Sequence, residues 1–439
     1  MHQTAVWRPP AEIGRDEIVS ASQDVLGRPD IPISEREDIF RTSALGLDWD
    51  ISSKVFEPSK AADVPRGPDG RRIGLFLLHG GGGDQRAKEP MARLIASKLG
   101  WRVAVMSYPG HYQFDTPDHD WPGDTLNTDG TARTPLWLRD RPITSDQYEL
   151  IEDTSDPAKR AKWGTLFFLR AREGSEFYDR LAAWPAAFEA AMRAVCTRNF
   201  PAESDAIFVH GHSTGGPFVH ILLQRVENVG GLLGMESSPF GSLYGRMLGM
   251  RWQFPFNYLT VRTWRHIAKY AGAEAGPEGA WRLPWIMEDV LDAWARSRKQ
   301  PQIKSEYILT YGATDALGEA ARAAARRLGL NPSQTEDLVS QYQGYPVPLE
   351  GPSVKPLPPL LYGIAQGSRD HTLERYTQVV LPAYEAVQPR PRVALVRFLA
   401  GVHGYEKAEE GLPRGVLPAV LQLWSTAINR GYYLEEAQT

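Results

Sequence analysis

The sequence predicts an α/β protein, with a mainly parallel central sheet flanked by helices and a helical cap inserted over one end. Three observations carry this. Short aliphatic and β-branched runs alternate with longer stretches of helical periodicity along most of the 439 residues, as in a sheet with helices on both faces. The runs are apolar throughout rather than at every second position, as in strands buried on both sides. One long segment, 240–356, breaks this rhythm with several helical patterns in succession.

Taken in order, residues 1–70 read as a lead-in, with a helix near 34–43 and an edge strand at LDWDISSKVFEP. The core is expected to comprise 71–239 and 357–439. Its strands are RIGLFLLHG (72–80), RVAVMSY (102–108), AIFVHGH (206–212), GLLGME (231–236), LLYGIAQ (360–366) and VALVRFL (393–399). Helices are expected at 84–99, ending at Gly100, and at 176–196, 215–227, 373–387 and 414–429. Residues 112–160, rich in Pro, Asp, Thr and Gly, show no sheet strand, and so long an irregular connection is usually a functional loop. The insertion at 240–356 holds five of the 13 tryptophans (Trp252, Trp264, Trp281, Trp285 and Trp294). They suggest a pocket for an apolar or aromatic group, and serve equally well as the cap's own core.

Composition narrows the function. With 42% hydrophobic and 23% charged residues, the chain can build an ordinary globular core. A formal net charge of −4 gives no electrostatic case for nucleic acid or an anionic membrane as partner. The densest basic cluster, Arg322, Arg326 and Arg327, reads as one face of an Ala-rich helix. Cys196 is the one cysteine, so no intrachain disulfide forms. There is no apolar signal region at the start and no apolar run of membrane-spanning length. A soluble, cytoplasmic protein acting on a small molecule is expected, without a cofactor. Its oligomeric state is left open, a homodimer included.

The sharpest local signal is FVHGHSTGGPF, residues 208–218. Gly211-His212-Ser213-Thr214-Gly215 lies between a buried strand and an apolar helical pattern. A serine on so tight a turn projects its hydroxyl above the sheet, and small neighbours let the backbones pass. The same turn aims the Thr214 N–H and the positive end of the next helix at one point, where oxyanion charge would be stabilised. Three further strands end in polar loops. LFLLHGGGGDQ (75–85) carries four glycines after His79 but lacks the spacing of either a dinucleotide fingerprint or a phosphate-binding P-loop. GIAQGSRDHT (363–372) places Asp370 just past a strand, and VRFLAGVHGYE (396–406) does the same for His403. Open α/β sheets build their sites at such carboxyl ends.

Together the HGGGG, GHSTGG, GSRD and GVHG motifs resemble the α/β-hydrolase superfamily, in its serine esterase and lipase-like branch. The likeness spans roughly 70–240 and 357–430, with 240–356 in the usual place of that family's cap. It implies Ser213 as nucleophile, His403 as base, an acid that orients the base, and an oxyanion hole from the amides of Thr214 and Gly81, with Gly82 assisting. Asp370 is the first choice for the acid. Glu236, at the end of the strand after the nucleophile helix, is the alternative, since some members carry their acid there. Asp315 mimics the Asp370 motif but suits a helix N-cap. His111, Tyr112 and His212 are expected near the substrate, and His210 in the core. His111, Asp115, Asp118, His119 and Asp120 match no tight ligand spacing, and Pro117 breaks any helix that would align them, so no metal is expected. Serine at the turn points to hydrolysis of a carboxylic ester of a small organic molecule through an acyl-enzyme. Lactone, amide, thioester, acyl-transfer and carbon–carbon bond chemistry remain open on the same residues, as does a silent ligand-binding fold.

Overall fold

Nine strands hydrogen-bond into one sheet in a computed structural model that describes residues 11–44, 47–80, 85–109, 137–141, 143–152, 167–172, 175–213, 215–237, 332, 355–368 and 391–430. The strands are β1 (Ala11–Ile13), β2 (Ile33–Ala44), β3 (Leu47–Pro58), β4 (Arg72–Leu78), β5 (Arg102–Met106), β8 (Asp205–Gly211), β9 (Val229–Met235), β10 (Leu360–Ala365) and β11 (Val393–Phe398). They lie in the order β1-β11-β10-β9-β8-β4-β5-β3-β2. All neighbours from β1 to β5 run parallel, while β3 and β2 are antiparallel to their neighbours. A separate antiparallel pair, β6 (Tyr148–Glu152) and β7 (Phe167–Ala171), stands apart from this sheet. A short strand, β12 (Pro413–Val416), leads into the last helix.

Helices cover both faces. On one side α1 (Arg15–Leu26), α2 (Glu89–Leu99) and α5 (Leu417–Asn429) pack Ile18, Val25, Met91, Ile95, Val420 and Trp424 onto Ile73, Leu75 and Leu77 of β4. Alternate residues of a strand face opposite ways. Gly74 therefore faces the other side, where a Cβ would stand 2.5 Å from the Phe200 ring. That side carries α3 (Glu176–Asn199) and α4 (Gly215–Arg225), joined by Phe188 stacked on Phe218 at 3.9 Å.

The mainly parallel sheet matches the expected fold class, and two expectations for the N-terminal residues are corrected. Residues 34–43 form a strand, not a helix: β2 pairs with β3 from Ile33↔Pro58 to Ala44↔Leu47. Charged residues of good helix propensity suggested the helix, but a full-length antiparallel partner two residues away satisfies the backbone better than an isolated helix with few apolar residues. Consequently β3 is not an edge strand. It lies between β2 and β5, with Trp49, Ile51, Val55 and Phe56 buried. The lead-in thus supplies three strands and a helix to the main sheet. Strand β6 also falls within 112–160, where none was expected. The cap expected at 240–356, apart from residues 332, 355 and 356, and the helix expected at 373–387 lie outside the described residues.

This topology creates a crevice. Strand β4 has β5 on one side and β8 on the other; the chain moves from β4 to β5 in one direction across the sheet and from β8 to β9 in the other. The loops leaving the carboxyl ends of β4 and β8 therefore part at this point, where open parallel sheets bind their ligands.

Candidate active site

Ser213 sits at this crevice, immediately past β8, with φ at 52°. A side chain in this left-handed region costs about 1–2 kcal/mol, so the surrounding contacts must hold it. The His212 N–H donates to Leu78 O at 3.0 Å and the Ser213 N–H to Glu236 O at 2.9 Å. The Gly215 and Gly216 N–H groups donate back to the carbonyls of His212 and Ser213, both at 2.9 Å. Two glycines make the turn sterically feasible. A Cβ on Gly211 would come within 2.2 Å of Gly215 O, and one on Gly215 within 2.5 Å of His79 O. The loop after β4 closes the other side: a Cβ at Gly80 would lie 3.3 Å from Ser213 Cβ. The Tyr108 hydroxyl holds this loop by donating to His79 O, and its ring stacks on that of His79 at 3.9 Å.

Glu236, one residue past β9, is fully buried and also has positive φ, at 54°. Its carboxylate receives three donors. The Ala365 N–H reaches Oε1 at 2.6 Å, while the Ser368 hydroxyl and His403 Nδ1 meet Oε2 at 2.5 and 3.1 Å. A buried carboxylate is tolerated only when so satisfied. Because a carboxylate oxygen accepts, Nδ1 of His403 carries the proton, and Nε2 is the ring's basic nitrogen. His403 itself is partly exposed.

Two more histidines back this pair. His212 Nε2 donates to the main-chain carbonyl of His403 at 2.9 Å, and the two rings lie 4.9 Å apart. Burial first, then the nearby charge of Lys88, holds His212 well below the ordinary histidine range, so it is neutral. His210, fully buried, donates from Nδ1 to Leu233 O at 2.8 Å and accepts the Tyr405 hydroxyl on Nε2 at 2.8 Å. Burial pushes its pKa down to about 3. Behind them Lys88 is buried in an ion pair with Glu406, its Nζ 5.2 Å from the Tyr405 ring centre.

No protein-family model matches the chain, and no curated protein matches it. Solved structures align with it at low identity. A thermostable carboxyl esterase from Bacillus coagulans aligns at 12% identity and TM-score 0.40, over 89% of this chain and 99% of that one. A peroxisomal α/β-hydrolase from Saccharomyces cerevisiae aligns at 10% identity and TM-score 0.37, over 93% and 92%. For an acylaminoacyl peptidase of Pyrococcus horikoshii the values are 11% and 0.38, over 92% of this chain but only 43% of that one. What decides the fold lies within the chain itself: its strand order, with a strained serine on the strand-to-helix turn at the centre of a mainly parallel sheet. The chain has the α/β-hydrolase fold.

Of the residues singled out from the sequence, this α/β-hydrolase fold brings together Ser213, Glu236, His403 and His212. Asp370, Gly81, Gly82, Thr214, His111, Tyr112 and Asp315 lie outside the described residues, as do Asp115, Asp118, His119 and Asp120. The carboxylate hydrogen-bonded to His403 among the described residues is Glu236. His212, expected beside the substrate, has its Nε2 donor engaged with the main-chain carbonyl of His403. Sequence reasoning missed Ser368, although it stands in the GSRD motif two residues before Asp370. It also missed Lys88 and Tyr405, for which no local pattern gave a signal.

Proposed function

We propose that the protein is a serine hydrolase that cleaves a carboxylic ester of a small, apolar or aromatic organic molecule. The observation that supports this best is a strained Ser213 whose N–H donates to the carbonyl of Glu236, the residue whose carboxylate binds His403. Serine at its normal pKa is a poor nucleophile and needs a base within reach. In this reading His403 Nε2 takes the Ser213 proton as Oγ bonds to the ester carbonyl carbon. Glu236 fixes the ring so that Nδ1 keeps its proton and stabilises the imidazolium that forms. The carbonyl oxygen becomes an oxyanion, met by the amides of Thr214 and Gly81 with Gly82 assisting. As the intermediate collapses, the C–O bond to the alcohol breaks and His403 protonates the departing oxygen. Water, deprotonated by His403, then attacks the acyl-Ser213 ester and releases the carboxylic acid. The five cap tryptophans support an apolar acyl or alcohol moiety.

The test is covalent. A fluorophosphonate should give one adduct, mapping to Ser213 by intact mass and peptide analysis, and His403→Ala should not react. Failure of the folded parent protein to label would remove the ground for this assignment.

A further inference from the structure

We infer that His212 is a positioning residue that clamps the base loop against the nucleophile turn, an assignment that rests on the serine-hydrolase reading above. His210 lies on β8 and His212 one residue past its end, at the start of the turn. Both point at one loop. His212 Nε2 donates to the main-chain carbonyl of His403, and His210 Nε2 accepts the hydroxyl of Tyr405. One residue of the strand and one just past it thus grip two alternate residues of the loop.

The grip is rigid at both ends. His212 is tied by its own N–H to Leu78 at the end of β4, and its Nδ1 side is hemmed by Gly80, where a Cβ would come within 3.2 Å. Its ring faces that of His403 at an interplanar angle of 30° and meets Tyr405 edge-on at 5.4 Å. His210 is held from its other nitrogen by Leu233 O and packs against Trp424. Neutrality matters because a neutral imidazole keeps one donor and one acceptor. The burial of both rings, with Lys88 nearby, enforces it. The His403 ring hangs from Glu236 at Nδ1, while its backbone hangs from His212. With ring and backbone both fixed, Nε2 is aimed without help from substrate. A donor already committed in this way is not available to recognise a ligand, which sets this role apart from substrate contact.

The experiment compares His212→Gln, whose amide nitrogen reaches the place of Nε2, with His212→Asn, whose shorter amide does not, and with His212→Phe, which keeps the ring and loses the donor. Two quantities are read: the rate of fluorophosphonate labelling at Ser213, and kcat and KM on an ester that the parent protein hydrolyses. A misplacement on the order of 1 Å costs about 100-fold in rate. His212→Asn and His212→Phe should therefore label about 10- to 100-fold more slowly, with the loss in kcat and KM little changed. His212→Gln should recover most of the rate. Gln and Asn labelling alike, or a loss confined to KM, would overturn the positioning role while leaving the serine-hydrolase reading intact. Parent protein that fails to label at Ser213 would overturn both. Should His212→Phe not fold, the Gln and Asn pair alone decides the matter.

Discussion

The N–H of Ser213 donates to the carbonyl of Glu236 at 2.9 Å, and these are the two non-glycine residues with positive φ among the described residues. The strain is shared across one hydrogen bond. Each residue stands at the carboxyl end of a parallel strand, where the chain turns out of the sheet. The Glu236 carboxylate meets His403, in the loop after β11, two strands away. About 1–2 kcal/mol at each position is held in place by the surrounding hydrogen bonds.

Replacing Glu236 by Gln keeps size and shape but can set an amide N–H against Nδ1 of His403, favouring the wrong tautomer. A fall in kcat on the order of 10⁴ is expected. Asp370→Asn should stay within a few-fold of the parent protein. Steady-state hydrolysis of an aryl ester measures both, and a reversal of the two results would return the acid role to Asp370.

Ser368 donates to the same carboxylate oxygen as His403. A hydrogen bond to a buried charge contributes about 1.5–3 kcal/mol. Ser368→Ala should therefore lose about 10- to 100-fold in kcat, and Ser368→Thr, which keeps the hydroxyl, should regain it. Equal rates for the Ala and Thr variants would leave Ser368 without this function.

The turn glycines differ sharply from a surface one. Gly211→Ala and Gly215→Ala place a Cβ 2.2 and 2.5 Å from backbone oxygens, which have no flexible way to yield. Both should lower Tm by several degrees and abolish labelling of Ser213. Gly70 also has positive φ, 78°, but a Cβ there meets nothing within 4 Å. Gly70→Ala should cost about 1 kcal/mol and leave labelling intact. Thermal melts with parallel labelling separate the cases.

Two buried histidines make stability depend on pH. Burial pushes His220, between Gly216 O and the Tyr362 hydroxyl, down to about 4, and burial with Lys88 pushes His210 to about 3. In the unfolded chain both take up protons near pH 6.5. The unfolded state therefore binds more protons below that value. The stability is complete above about pH 6.5 and is lost as pH falls, until about 4 for His220 and about 3 for His210. Each contributes a slope of up to about 1.4 kcal/mol per pH unit. Urea unfolding at pH 8 and pH 5 should show the decline, and His220→Asn should make it shallower. An unchanged slope in that variant would show that His220 is not a source of it.

The turn at Ser213 was legible in the sequence because its causes are local. Gly211 and Gly215 are required by contacts within five residues and with the adjoining strand, and an apolar run on each side declares the strand and the helix. The buried parallel strands were legible for a similar reason, since burial on both faces leaves an unbroken apolar run. Other features were decided by long-range pairing. Residues 33–44 became a strand because 47–58 offers a full antiparallel partner and α3 packs across it, which outweighs the helix propensity of their charges. The hydrogen bond between Glu236 and His403 depends on the register of β9, β10 and β11, Leu232 beside Leu360 and Leu360 beside Val393. The donor Ala365 ends β10, and Ser368 lies in the loop that follows it. Local sequence marks which residues end strands. Only the assembled sheet sets those ends side by side, because lateral strand order is chosen by packing across the whole core and not by any one segment.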